Sequence, residues 1–374
     1  MRIERISDVQ SFAGLREQWN DLRSGPGSSS PALTHEWFSA WLEAFGKGTD
    51  LAILVLFEDD AASTGGNKLL GAAPMQIVRS TYRGIRCSQL RFLYNRHGPR
   101  CAFLMRDGHG GQTGLLMDAA LGLTGWDVAI LENIPHDSYL YALCAGLSGT
   151  PGRSTLLRKT MSSPFLRVNG SWDSFFDSRP RNLKRSLRSK EKKLAKAGEI
   201  KIEHLTEAAA SVAVMPALIA IGEKSWKAKG GRAIGSQPES RRFYSLLAEA
   251  FGSRGEVSVW LMRINGEPAA FEFHLARDKQ VQALRAEFDE KYRDLGVGSI
   301  LDMEIVKWLF DSVYNEYDMG GESDFYKLRW TEETRSHSEL LVFNRSLAGR
   351  LLGAIEKRLV EPAKRLTNGR TGRS

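Results

Sequence analysis

Arg293, Gly296 and Gly298 stand in an Arg-x-x-Gly-x-Gly turn within KYRDLGVGS at 291–299, a spacing suited to holding an anion. The residues that follow, 299–313, are apolar around most of a helical circumference and so predict a buried helix. The start of such a helix presents N–H groups with no intrahelical acceptor and roughly half a positive charge. Glycines let backbone come close to a ligand, and Arg293 adds a fork of donors matched to phosphate oxygens. Arg293, Leu295, Gly296, Val297, Gly298 and Ser299 therefore make a candidate cradle for a phosphate-bearing cofactor. Loop punctuation before an ordinary helix has the same glycine content, so the flanking elements must decide between the two.

Ahead of the turn, Gln282, Leu284, Ala286 and Phe288 alternate with Ala283, Arg285 and Glu287, the period of a strand with two distinct faces. Strands are also expected at 200–204, 257–264, 269–275, 315–319 and 339–343, with Asn265-Gly266 a strong hairpin signal between the second and third. Helices are expected at 208–227, 238–251, 324–330 and 347–360. In the first half, helices at 9–22, 35–45, 112–123 and 137–147 alternate with strands at 51–57, 68–78, 89–94 and 127–131, and 59–67 reads as a turn or short loop. Strands alternating with helices imply an α/β protein.

A chain of 374 residues exceeds what one core usually serves, which favours two domains, and 42% hydrophobic with 26% charged residues is ordinary for a soluble globular protein. The opening MRIERISDVQ has no apolar core followed by a small-residue cleavage site, and no window approaches 18 uninterrupted apolar residues. A cytoplasmic protein with no integral membrane segment is expected. Cys87, Cys101 and Cys144 are too widely spaced for a C-x-x-C metal pair or a secreted disulfide framework. H-E-x-x-H, the phosphate loop G-x-x-x-x-G-K-[ST] and the G-x-S-x-G elbow are all missing, which argues against metal hydrolase, P-loop and serine hydrolase chemistry; no metal is expected.

The net charge of +8 and pI near 9.3 point to anionic partners, and much of the excess is local. Between 179 and 196 nine Lys or Arg residues face a single Glu191. At about 100° per residue Leu183, Leu187 and Leu194 fall within about 40° of one another, so this is an amphipathic basic helix. Its cations suit a solvated face, contact to a cofactor or RNA phosphate, or an anionic membrane surface.

The hairpin, the further strand, the glycine turn, the helix and the next strand together resemble the GNAT acyltransferase superfamily, in which that turn holds the coenzyme A pyrophosphate. FDEKYRDLGVGSILDMEIVKWLFD, then YDMGGESDFYKLRW, looks like the branch with CelD-type proteins associated with cellulose biosynthesis and Fem-type peptidyltransferases. Weaker echoes are LTHEWFSAWLEAFG near residue 40, PRNLKRSLRSKEKKLAKAG at 180–198 and EKSWKAKGG at 223–231. The resemblance implies two tandem GNAT-like domains, an α/β (α+β) fold in which each sheet is mixed, mostly antiparallel and flanked by helices. They are expected at 1–164, as a degenerate copy, and at 165–362, as the acyltransferase domain, with a flexible tail at 363–374.

On that template an acyl thioester of acetyl-CoA, or another acyl-CoA, lies along the third strand of the carboxy-terminal group, and an amine attacks it directly. Glu272 and His274 share one strand face and are candidate bases. Glu287 and Asp289 are comparable, and Asp289 with Tyr292 better matches the family pattern while also suiting a turn. Tyr326 matches the Tyr-Lys-x-x-Trp-like motif and is placed to protonate the leaving thiolate; Lys327 beside it, Trp226, Arg181 and Arg185 are the expected substrate contacts. Asp294 beside the expected phosphate departs from the pattern and must point away. The implied acceptor is an amine on a small molecule, sugar or polysaccharide precursor; transfer from charged tRNA and a non-catalytic role in an exopolysaccharide pathway are the alternatives.

Overall fold

The computed structural model describes residues 1–22, 30–58, 68–147 and 154–360. The expected loop at 59–67 and the expected tail at 363–374 lie outside the described residues. Fifteen strands are described: β1 Arg2–Ile6, β2 Asp50–Leu51, β3 Ile53–Phe57, β4 Leu69–Ala73, β5 Met75–Tyr82, β6 Ile85–Phe92, β7 Leu104–Met105, β8 Val128–Pro135, β9 Ser154–Arg167, β10 Ile200–Leu205, β11 Val257–Ile264, β12 Glu267–Arg277, β13 Gln280–Phe288, β14 Glu316–Asp318 and β15 Thr334–Phe343. They form a four-stranded sheet, β1-β3-β4-β7, and an eleven-stranded one, β10-β11-β12-β13-β14-β9-β15-β8-β6-β5-β2. All pairings are antiparallel except β13 with β14 and β6 with β8, so the fold is the mixed, mostly antiparallel α/β architecture expected.

The large sheet runs through both halves of the chain. Its strand β9 spans the expected division at 164/165, pairing with β15 over most of its length and with β14 at its end. The last strand, β15, lies between β9 and β8, so the carboxy-terminal segment completes the sheet of the first half. Aromatic packing joins the halves again: Trp37 on helix His35–Phe45 meets Phe243 on helix Pro238–Gly252 edge to face at 5.0 Å. Thr34 caps the first of these helices by accepting from the Trp37 amide, as its position suggests.

Several expected elements are divided, each at a residue with a reason. The helix expected at 9–22 forms as Val9–Ala13 and Arg16–Asn20, with Gly14, a poor helix former, between them. The strand expected at 68–78 is cut at Pro74, which cannot donate to a ladder, and the chain passes there from the small sheet to the large one. The helix expected at 208–227 is interrupted where Pro216 opens Met215–Glu223. Asn265 and Gly266 both take positive φ, 50° and 82°, the twist-matched turn of a two-residue hairpin.

Two features of β13 shape the site. It pairs with β14 only over Gln280–Gln282 and then diverges, leaving a wedge between the strands. Its register against β12 also shifts by one residue at Leu284, a β-bulge. The strict alternation expected over 282–288 therefore fails: Ala283 and Ala286 stand opposite His274 and Glu272, while Arg285 and Glu287 stand opposite Phe273 and Phe271 on the other face.

Candidate active site

The wedge holds a cleft with two arms. One, of about 270 Å³, is bounded by Trp226, Phe288, Gly298 and Ser299. The other, of about 240 Å³, is bounded by Gly320, Gly321, Glu322 and Lys327. They meet at Lys227, Glu272, Ala286, Asp302 and Tyr326, which line both.

The first arm ends at the glycine turn. Gly296 takes φ 71° as the cap of helix Val297–Phe310, a conformation side chains rarely adopt, and its carbonyl accepts from the Ser299 and Ile300 amides. The amides of Val297 and Gly298 lie in the first turn, where no intrahelical acceptor exists. Gly298 and Ser299 line the cavity, while Val297 is buried in the core and Leu295 packs against that core. Arg293 is not at the cradle: its side chain is 59% exposed and bonded to Glu290 at 2.5 Å. Asp294 is exposed.

At the junction, β12 supplies Glu272 and the buried helix supplies Asp302, and their carboxyls hydrogen-bond each other. Burial raises the Glu272 carboxyl, with Asp302, Tyr317 and the lysines Lys227 and Lys327 opposing. Asp302 is driven well above the ordinary carboxyl range by burial and by Glu272, further than Glu272 itself, which makes Asp302 the donor in the hydrogen bond between the two carboxyls. Tyr317 on β14 donates to Glu272 Oε2 at 3.4 Å. His274 stands behind, fully buried, with Nε2 2.8 Å from Glu272 Oε2 and Nδ1 without a partner. Burial pushes this imidazole down to about 3, so it is neutral and its Nε2–H donates to the carboxylate. It does not reach the cleft.

Lys227 crosses the junction and donates to the Ala286 carbonyl at 2.8 Å, on the open edge of β13. Burial holds its ammonium below the ordinary lysine value. Tyr326 faces the pair, its phenol raised by burial and then by the Asp302 and Glu272 carboxyls. Trp226 walls the first arm, 46% exposed, with the Arg232 guanidinium 5.3 Å from its ring centre. Lys327 is buried and donates to the Gly320 and Glu322 carbonyls at 2.6 and 3.2 Å, which holds the turn of the second arm. Gly320 there has φ 60° and lies where a Cβ would stand 2.7 Å from the Ala283 carbonyl oxygen, at the point where β13 and β14 part.

Two expected carboxylates are engaged outside the junction. Glu287 borders the first arm, but its carboxylate accepts from the Ile234 amide at 3.1 Å, and Asp289 caps the turn by accepting from the Lys291 amide at 3.0 Å. Arg181 and Arg185 lie with Lys184, Arg188 and Lys192 along the outer face of helix Arg181–Ala197, away from the junction. Asp302 and Tyr317 escaped sequence reasoning. For Asp302 the available signal was a carboxylate three residues after Ser299 in an otherwise apolar helix; Tyr317 carried none. Among the described residues no cluster of three or more His, Cys, Asp or Glu could hold a metal ion.

Residues 181–328 match the family model of the acetyltransferase (GNAT) domain, so this part of the chain is a GNAT domain of the acyltransferase class. Solved structures of the same fold include FemX, with TM-score 0.58 and 9% identity over 94% of this chain and 100% of FemX. A second is the C-terminal domain (DUF2156) of a protein assigned as a lysylphosphatidylglycerol synthetase from Agrobacterium fabrum, with TM-score 0.54 and 14% identity over 92% of this chain and 97% of that one. A third is a tandem GNAT protein from the clavulanic acid biosynthesis pathway, with TM-score 0.51 and 11% identity over 92% of this chain and 100% of that one. At these identities the likeness is one of fold. No curated protein sequence matches the chain.

Proposed function

We propose that the chain is an N-acyltransferase that takes an acyl group from acyl-CoA, most simply acetyl-CoA, and delivers it to an amine by direct attack on the thioester. The observation that carries this reading is the meeting of two arms at Glu272, Asp302 and Tyr326, one arm ending at a helix start and the other open to a second substrate. The donor's phosphates sit at the Gly296–Ser299 turn, where helix N–H groups and dipole favour an anion. The pantetheine arm runs past Trp226 to the open edge of β13, and the thioester carbonyl is polarised by the Ala286 N–H, which shares its strand edge with the carbonyl held by Lys227.

The amine enters through the second arm. Glu272 takes its proton, Asp302 and His274 hold that carboxylate in place, and Tyr326 donates to the departing thiolate. His274 is a positioning residue, since it touches Glu272 and not the cleft. The acceptor is a small molecule, sugar or polysaccharide precursor carrying a primary amine.

A second reading, an aminoacyl group arriving on charged tRNA, is favoured by one feature: the outer face of helix Arg181–Ala197, where Arg181, Lys184, Arg185 and Arg188 form an open cationic surface. The two donors are separated by a transfer assay that follows free thiol release from acetyl-CoA across a panel of amines, run beside charged tRNA. Thiol release that depends on an amine and is lost in Glu272→Gln supports the acyl-CoA reading. Transfer only from charged tRNA replaces it with the second.

A further inference from the structure

One cation of the basic helix is on the wrong side of it. Leu183, Leu187 and Leu194 are buried, and at about 100° per residue Lys190 falls within about 20° of Leu183, at the edge of that stripe and between Leu187 and Leu194 along the axis, where a further leucine would extend it. Its carbon chain crosses the glycine turn: a Cβ at Gly296 would stand 2.5 Å from Lys190 Cδ. Its ammonium donates to Ser299 Oγ at 2.7 Å, and Ser299 lines the donor arm.

The surroundings of this ammonium are predominantly cationic. Besides burial, Arg329 and Lys193 disfavour its charge, with Asp302 alone opposing them. The amino-terminal end of helix Val297–Phe310 adds its partial positive charge. Asp302 alone offsets this half-buried lysine drawn toward other cations, whereas an anion at the turn would compensate all of them together. Arg293, the cation that the turn's spacing singles out, is meanwhile held at the surface by Glu290.

We propose that Lys190, and not Arg293, is the side chain that neutralises the donor's pyrophosphate, its ammonium passing from Ser299 Oγ to a phosphate oxygen as the donor binds. The proposal rests on the reading of this arm as the acyl-CoA site. It also assigns a purpose to Gly296 beyond its φ, because a side chain there would collide with the lysine stem that delivers the charge.

The test is calorimetric titration of coenzyme A and dephospho-coenzyme A into wild type, Lys190→Met, Lys190→Arg and Arg293→Met, with Tm recorded for each. Loss of a charge-assisted phosphate contact is expected to weaken both ligands by about tenfold or more in Lys190→Met. Lys190→Arg is expected to recover most of that loss, and Arg293→Met to stay within about threefold of wild type. The Tm of Lys190→Met should hold or rise, since methionine extends the leucine stripe, so affinity and stability move in opposite directions. Wild-type affinity in Lys190→Met overturns the proposal while leaving the acyl-CoA reading intact. A penalty seen with coenzyme A but absent with dephospho-coenzyme A overturns it too, by placing Lys190 at the 3′-phosphate. Failure of wild type to bind either ligand removes the acyl-CoA reading and this proposal with it.

Discussion

His274 places its Nε2 2.8 Å from Glu272 Oε2, at the floor of the cleft and on the side away from substrate. The imidazole is neutral and its other nitrogen has no partner, so its one polar contact fixes the rotamer of the carboxylate. Asp302 and Tyr317 approach the same carboxyl from the helix and from β14. The Glu272 carboxyl, the proposed base, is thus held from three elements and left one free approach, from the cleft.

Removing the base should be severe and removing its partner mild. Glu272→Gln is expected to lower kcat by about 100-fold or more, the usual contribution of a general base. Asp302→Asn keeps a donor to Glu272 and is expected to stay within about tenfold. Because the shared proton belongs to the pair, Asp302→Asn should also abolish the upper of two ionisations in the pH profile of kcat/KM. Steady-state rates between acid and alkaline pH check both, and equal losses in the two variants would sink the division of roles.

Tyr326→Phe removes the proposed proton donor to the thiolate and little else, since the residue is 40% exposed. A fall in kcat of about 10- to 100-fold is expected, with acetyl-CoA affinity unchanged. The effect should shrink when the acyl donor carries a better leaving thiol, and a fall in affinity with kcat unchanged would contradict the assignment.

The cleft floor depends on a contact between the halves of the chain. Arg100 is buried against the Asp318 carboxylate, which also accepts from Gln282 at 3.0 Å and from the Gly320 amide at 2.9 Å. Burial opposes the charge of Asp318, but Arg100 and the Gly320 amide outweigh it and keep the carboxyl below its ordinary value. Arg100→Met leaves that carboxylate buried without its counterion and is expected to cost about 3–5 kcal/mol in urea unfolding. A cost below about 1 kcal/mol, the scale of a surface pair, would show that the contact does not hold the floor.

Acid should unfold the protein through buried histidines. Burial pushes His97 and His274 to about 3 and His337 to about 4. Each folded value lies below the unfolded one, so the stabilisation is present above about pH 6.5 and is lost as pH falls toward the folded values. Each group contributes a slope of about 1.4 kcal/mol per pH unit in that window. Urea unfolding at neutral pH and at pH near 5 should show a loss that His337→Gln reduces; a flat profile would contradict the neutral assignments.

What was legible in the sequence was chemistry that depends on near neighbours. The glycine turn at Gly296 and Gly298, the Asn265-Gly266 hairpin and the leucine stripe of the basic helix follow from backbone preference and local periodicity. What was not legible depends on contacts across elements. The pairing of Asp302 with Glu272 exists only once the helix lies on β12, and the bulge at Leu284 that turns Glu287 away is set by register against that strand. The insertion of β15 between β9 and β8 joins residues far apart in the chain, which no local pattern encodes. Arg293 shows the reverse case: its type and spacing fit a phosphate, but Glu290 three residues before it holds the guanidinium at the surface.

The most direct test of the donor site is titration of acetyl-CoA into wild type and Gly298→Asp. A Cβ at Gly298 meets only Phe288 Cδ1, at an ordinary 3.6 Å, so the substitution should leave the fold intact while placing a carboxylate in the phosphate seat. Saturable binding to wild type, weakened by about 100-fold or more in Gly298→Asp with Tm unchanged, is the result expected of an acyl-CoA cleft. Binding that survives the substitution undiminished, or its absence from wild type, would contradict it.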